Sequence, residues 1–252
     1  MKRIALITGA TSGFGEATAQ LLAENGYKLI ITGRRKERLE DLKKELADKF
    51  GTDVLALAFD VRSNDEVNKA INELPAEWKK IDVLVNNAGL AVGLEPIQDG
   101  CTDDWDRMID TNIKGLLYTT RAVAPLMVEQ GHGHIVNIGS TAGKDVYENG
   151  NVYCGTKFAV DAISKGTRID LLKHNVKVTQ ICPGLAETEF SMVRFKGDEE
   201  KAKTTYKGIE AMTPEDIASI ILYVISLPPH LCINDLVVSP TAQASAIYTY
   251  KK

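Results

Sequence analysis

Residues Ile4-Ala5-Leu6-Ile7-Thr8-Gly9-Ala10-Thr11-Ser12-Gly13-Phe14-Gly15 decide the fold. The apolar run Ile4–Ile7 reads as a strand buried on both faces. Glycines follow at positions 9, 13 and 15, and a helical pattern then runs from Gly13 to about Asn25. A strand, a glycine turn and a helix start bring bare backbone, unpaired amides and the positive dipole end to one place, which suits a pyrophosphate. The spacing is Gly-x-x-x-Gly-x-Gly, and a P-loop is excluded because Glu16 stands where that motif needs lysine. Gly9, Thr11, Ser12, Gly13, Phe14 and Gly15 are therefore read as a nucleotide-binding turn.

Outward from that turn the same alternation repeats. Leu29–Thr32 precedes a helical stretch, Lys36–Lys49; Val54–Phe59 precedes Asp65–Leu74; Val83–Val85 precedes one or two helices within Thr102–Met127. Ile135–Ile138 precedes Val152–Leu172, Val176–Ile181 precedes Pro214–Ser226, and Leu236–Val238 is the last strand candidate. Strands apolar on both faces, separated by helices, predict βαβ units with right-handed crossovers. The fold expected is α/β, a doubly wound parallel sheet of Rossmann type with about seven strands and helices on both faces. No repeat or linker divides the chain, so residues 1–252 are read as one domain. The least regular stretch, about 184–212, follows a strand's carboxyl end, where such sheets bind ligands, and is read as a mobile substrate lid.

Composition narrows the function classes. Of 252 residues, 44% are hydrophobic and 25% charged, and 30 Lys+Arg against 34 Asp+Glu give a formal net charge of −4. That apolar content excludes a disordered chain. The acidic balance, without interleaved aromatic and basic residues, disfavours nucleic-acid and membrane partners. No apolar run approaches the ~20 residues of a bilayer span, and Ile4–Ile7 is too short for a signal peptide. Cys101, Cys154, Cys182 and Cys232 form no Cys-x-x-Cys pair, which reads as reduced thiols of a cytoplasmic protein. The 4 histidines lack His-Glu-x-x-His spacing, and no metal is expected.

The second strand runs into Arg34 and Arg35, where an acidic residue would accept hydrogen bonds from an adenosine ribose. Guanidinium forks suit phosphate oxygens, and cations at a helix start are unfavourable to the helix dipole, so they call for another reason. The pair predicts NADP in preference to NAD. Tyr153 and Lys157, four apart in a helical stretch, share a helix face. Tyr248 and Lys252 repeat that spacing at the C-terminus and are assigned no chemistry. Context separates the two pairs: Ser140 follows the strand Ile135–Ile138, Asn86-Asn87-Ala88-Gly89 follows another strand, and Asn112 lies in the next helical region.

With Thr8-Gly-x-x-x-Gly-x-Gly15, Asp60-Val61, Asn86-Asn-Ala-Gly89, Asn112, Ser140, Tyr153-x-x-x-Lys157 and Pro183-Gly184 in this order, the chain resembles the short-chain dehydrogenase/reductase family over most of its length. The resemblance implies Tyr153 as general acid/base, Lys157 holding the nicotinamide ribose, Ser140 binding the substrate oxygen and Asn112 holding a water of the proton relay. A free phenol titrates near about 10, and the Lys157 ammonium with a positive nicotinamide is expected to lower it toward working pH. The resemblance also places Asp60 and Val61 at the adenine, and Asn87, Ala88 and Gly89 along the adenosine-ribose side of the cleft. Pro183 and Gly184 would flank the nicotinamide, and Thr188 would reach its carboxamide or a phosphate. It further implies a homotetramer joined through about Lys114–Val128 and Val152–Lys173, and the apolar tail Ala242–Tyr250 could complete a neighbour's pocket. Phe14, commonly Ile or Leu in the family, and Gly155-Thr156, in place of the frequent Ala-Ser, are conservative departures.

Thr188-Glu189-Phe190-Ser191-Met192-Val193-Arg194-Phe195-Lys196-Gly197-Asp198, with Gly139–Gly143 and Asn87–Ala91, resembles a narrower branch, the NADP-dependent 3-hydroxy acid dehydrogenases. That branch implies small-molecule substrates: serine, allo-threonine and 3-hydroxypropionate, with reduction of 3-oxo acids such as malonic semialdehyde. A carboxylate needs a cation, and Arg194 is the candidate, with Lys196 second. Two other readings stand beside this one, a reductase of uncharged aldehydes and ketones and a non-catalytic NADPH sensor.

Overall fold

The computed structural model describes residues 2–251, apart from the side chains at 202 and 203. Strand β1 (Ile4–Thr8) is followed by α1 (Gly13–Glu24), β2 (Lys28–Gly33), α2 (Lys36–Phe50), β3 (Val54–Ala58), α3 (Asn64–Asn72) and β4 (Ile81–Asn86). Next come α4 (Thr102–Ile109), α5 (Leu116–Gln130), β5 (Gly133–Ile138), α6 (Asn151–Leu171) and β6 (Val176–Pro183). The chain then forms α7 (Phe190–Arg194), α8 (Glu199–Tyr206), α9 (Pro214–Ser226) and β7 (Asp235–Val238). All pairings are parallel, in a 7-stranded sheet of order β3-β2-β1-β4-β5-β6-β7. This is the doubly wound sheet read from the sequence. The strand order reverses between β1 and β4, so a crevice opens there at the carboxyl ends.

Strand alternation builds two cores from one sheet. Ala5, Ile7, Leu29, Ile31, Val83 and Val85 face α1, α2 and α9, meeting Leu22, Leu39, Leu46 and Ile221. Leu6, Ile30, Leu84, Ile135 and Val178 face the other way onto Ile71, Trp78, Val123 and Met127. Burial on both faces is why these strands read as continuous apolar runs rather than alternating ones.

Three details differ from the sequence reading. The fourth strand is longer than Val83–Val85, because Ile81 and Asn86 pair with β1 and β5. The helical region after it runs without a break from 102 to 130 through a π-helical turn, Asp110–Gly115. Gly115 lets that turn pack close against Val61, whose Cγ2 a Cβ there would approach to 2.8 Å. The stretch 184–212 also carries α7 and α8, and its ends are tied together by Met212 N–H to Leu185 O (3.1 Å) and Glu187 N–H to Met212 O (2.9 Å).

Candidate active site

At the β1–α1 turn, Gly9 and Gly13 adopt φ of +66° and +55°, conformations that suit glycine. A Cβ on Gly9 would come 3.0 Å from Ala88 Cα, and one on Gly13 would meet Thr188 at 3.4 Å. Gly15 packs onto Gly9 and Asn87, which brings α1 close to the sheet. Asn87 fixes the turn from the β4 side, donating from Nδ2 to Thr8 O (2.9 Å) and Gly9 O (3.1 Å). Ser12 gives α1 no side-chain cap, so its first amides are left to the cleft. Bare backbone, an uncapped helix start and Arg35 beside them fit a dinucleotide pyrophosphate carrying an additional phosphate.

One cavity collects most of the residues expected at the cofactor: Gly9, Thr11, Ser12, Gly13, Phe14, Arg35, Asn87, Ala88, Gly89, Pro183, Gly184 and Thr188, with Ser140, Tyr153 and Lys157 at its far end. Gly15, Arg34, Asp60, Val61 and Asn112 stand outside its lining. Gly15 acts by packing. Asp60 is gripped by its near neighbour Arg62, Nη2 to Oδ2 at 2.6 Å, which with the backbone bond from Arg62 N holds the carboxyl below its usual range despite partial burial. Val61 packs on Phe59 and Val67. Arg34 is exposed, whereas Arg38, one turn further along α2, joins Arg35 at Glu189. The third arginine was readable from helical spacing, since 35 and 38 share a face.

The catalytic candidates converge at the end of β5. Ser140 lies just past β5, capping the turn Thr141–Gly143, and Tyr153 and Lys157 emerge from one face of α6, all three lining the same cavity. Lys157 is buried and donates from Nζ to Ile138 O at 2.9 Å, with Nζ 5.9 Å from the centre of the Tyr153 ring. Burial brings its ammonium down to about 8. In the chain by itself, the groups that act most on the Tyr153 phenol are other than Lys157. Burial first, then neighbouring Tyr147, push the phenol above its ordinary value, while Ser140, within hydrogen-bonding reach, and the charge of Arg194 pull it down. Asn112 is buried in the π turn: its side chain accepts from Leu90 N (2.9 Å) and donates to Leu90 O (2.8 Å) and Thr156 Oγ1 (3.0 Å). Both amide hydrogens are thereby engaged, and the residue ties the π turn to α6 and to the chain after β4.

A second cavity adjoins the first, sharing Ser140, Tyr153, Gly184, Ala186 and Phe190, and reaches Arg194. Arg194 Nη2 donates to Tyr147 OH at 2.7 Å, its guanidinium carbon lies 5.7 Å from the Tyr153 ring centre, and its Nε is buried without a partner. Lys196, the other cation considered, leaves the site: its φ is +52° and its Nζ pairs with Asp104 Oδ2 at 2.7 Å on the exterior. Tyr147, Phe190 (5.7 Å from Tyr153 between ring centres) and Gln243 complete the walls and were not foreseen. The only hint of Tyr147 lay in its position between Ser140 and Tyr153. Of the other pair, Tyr248 is exposed and Lys252 lies outside the described residues.

Comparison with known proteins agrees with this geometry. The short chain dehydrogenase family model matches residues 3–199. The NADP-dependent 3-hydroxy acid dehydrogenase YdfG of Salmonella typhi is 53% identical over 244 residues, covering 96% of this chain and 97% of that protein. Sulfoacetaldehyde reductase 2 of Chromohalobacter salexigens is 45% identical, covering 97% and 96%. The closed form of serine dehydrogenase complexed with NADP+ superposes with a TM-score of 0.92 at 49% identity, covering 99% of each chain. The glycine turn at the β1–β4 crevice, the Tyr–Lys pair on one face of α6 and the serine in the same cavity stand within a chain matched over this length, and the chain belongs to the short chain dehydrogenase family.

Proposed function

We propose that this NADP-dependent oxidoreductase, which acts on CH–OH groups, takes small 3-hydroxy acids: it oxidises the 3-hydroxyl of serine, allo-threonine or 3-hydroxypropionate and reduces the matching 3-oxo acids, malonic semialdehyde among them. The observation that carries this reading is the guanidinium of Arg194, which lines a cavity that also holds Ser140 and Tyr153. A charged substrate of a few carbons spans that distance with its acid group on Arg194 and its hydroxyl at Tyr153. Relatives named for 3-hydroxy acids, for serine and for sulfoacetaldehyde support it, since each name denotes a small molecule pairing an acid group with an alcohol or aldehyde.

NADP supplies the nicotinamide that takes or gives the hydride when bound. The chain's own residues supply the proton chemistry. Ser140 and Tyr153 receive the substrate oxygen, and in oxidation the Tyr153 phenolate takes the hydroxyl proton while the hydride leaves the same carbon. Reduction returns the proton from the phenol. Lys157 holds the nicotinamide ribose, and the positive ring supplies a charge that opposes the effect of burial on Tyr153. Asn112 acts by position, fixing the π turn, where a water of the proton relay is held. The glycine turn, Asn87, Ala88 and Gly89 hold the dinucleotide, with Asp60 and Val61 at the adenine end and Arg34 and Arg35 at the additional phosphate. Residues 184–212 close over both ligands as a lid.

We assign the enzyme to the cytoplasm as a homotetramer of single-domain subunits. Supporting this, the 4 cysteines are free, no described helix is long and apolar enough to cross a membrane, and Leu117, Phe158 and Ile169 are exposed along α5 and α6. The test is NADP+ reduction over a panel of small 3-hydroxy acids and their esters, with Tyr153→Phe alongside. Turnover of acids but not esters, lost in the variant, is the expected result. Preference for uncharged substrates would replace the reading with a general carbonyl reductase, and NADPH binding without turnover would replace it with a sensor.

A further inference from the structure

Glu189 lies at the start of the lid, between Thr188, which packs on Gly13, and α7, which carries Phe190 and Arg194. Its two oxygens are divided between two arginines: Arg35 Nη1 donates to Oε2 at 3.1 Å and Arg38 Nη1 to Oε1 at 2.9 Å. The opposite edge of Arg35 is fixed to the glycine turn, with Nε and Nη2 donating to Thr11 Oγ1 at 3.1 and 2.8 Å and Nη2 to Ser12 Oγ at 2.9 Å. The edge of Arg35 turned to the lid is therefore the one Glu189 holds. A carboxylate bridging two guanidinium groups offers them a pair of anionic oxygens, as a phosphate on the same pair would with more negative charge. Arg35 and Glu189 both line the cofactor cavity.

We propose that Glu189 and the 2′-phosphate of NADP(H) compete for the Arg35–Arg38 pair, exchanging places as the cofactor binds and leaves. Glu189 is then a cofactor-selectivity residue acting against NADP. The consequence is directional. A 2′-phosphate gains the two guanidinium groups only by displacing the Glu189 carboxylate, whereas NAD(H) leaves both ion pairs intact. Arg34 offers the alternative seat, being exposed and in the field of Asp60 rather than of Glu189.

The proposal rests on the arginine reading of the 2′-phosphate site, and one experiment separates the two. The full-length wild type, Glu189→Gln and Glu187→Gln are titrated with NADPH and NADH, following nicotinamide fluorescence. Glu187, an exposed lid acid without an arginine partner of this kind, controls for bulk charge. Two half-exposed ion pairs predict that Glu189→Gln tightens NADPH by about three- to tenfold and NADH by less than about twofold, with Glu187→Gln changing the ratio by less than about twofold. An unchanged NADPH/NADH ratio in a wild-type-like Glu189→Gln overturns the competition and leaves the cofactor reading standing. A wild type that binds NADH as tightly as NADPH overturns both.

Discussion

Replacing Arg194 by methionine tests the substrate reading most directly. Among the described residues the guanidinium makes one hydrogen bond, to Tyr147 OH at 2.7 Å, and it lines the cavity shared with Ser140 and Tyr153. A hydrogen bond to a charged group is worth about 1.5–3 kcal/mol, and leaving the substrate carboxylate without its partner in a half-dry cavity puts the loss near the upper figure. At roughly 1.4 kcal/mol per tenfold, kcat/KM for serine should fall by about 100-fold. The methyl ester, which brings no charge to that end, should lose less than about tenfold. A second effect must be separated. Arg194 also pulls the Tyr153 phenol down, so its removal raises the phenol and moves the acid limb of the oxidation profile to higher pH for acid and ester alike. The comparison is therefore the ratio of acid to ester, measured by NADP+ reduction on the pH plateau of each enzyme. A serine loss under about threefold, or an equal loss for acid and ester, would refute the carboxylate role.

Other expectations follow from the same geometry. Tyr153→Phe removes the proton donor while keeping the ring beside Phe190, so kcat should fall by about 100-fold or more with NADPH affinity retained; turnover at the wild-type rate would exclude the proton-transfer role. Gly13→Ala forces φ of +55° on a residue with a Cβ beside Thr188, at a cost of about 1–2 kcal/mol, and should weaken NADPH binding in a fluorescence titration. His134 is held neutral, its titration lowered to about 3 by burial first and then by Lys177 and Arg3. Its folded value lies below the unfolded one, so the stability it contributes is complete above about 6.5 and is lost as pH falls toward 3. Urea midpoints should show about 2 kcal/mol lost between pH 7 and 5, a loss that His134→Gln should largely abolish.

The alternation of apolar runs and amphipathic stretches determined the doubly wound sheet, because a strand buried on both faces has no polar side to display and its covering helices must show one. The glycine turn and the Tyr153–Lys157 pair were likewise legible, since each depends on spacing within a single turn or helix. Only tertiary structure decided which cations face ligands. Lys196 and Arg194 lie two residues apart in the same stretch, yet a left-handed backbone at Lys196 sends it out to Asp104 while Arg194 lies over Tyr153. The ionisation of Tyr153 was also out of reach of the sequence, because it depends on burial by Phe190 and on Tyr147 and Arg194, which come from other parts of the chain. Local spacing fixes which groups share an element; desolvation and long-range pairing, which set their charge and their partners, exist only once the elements pack.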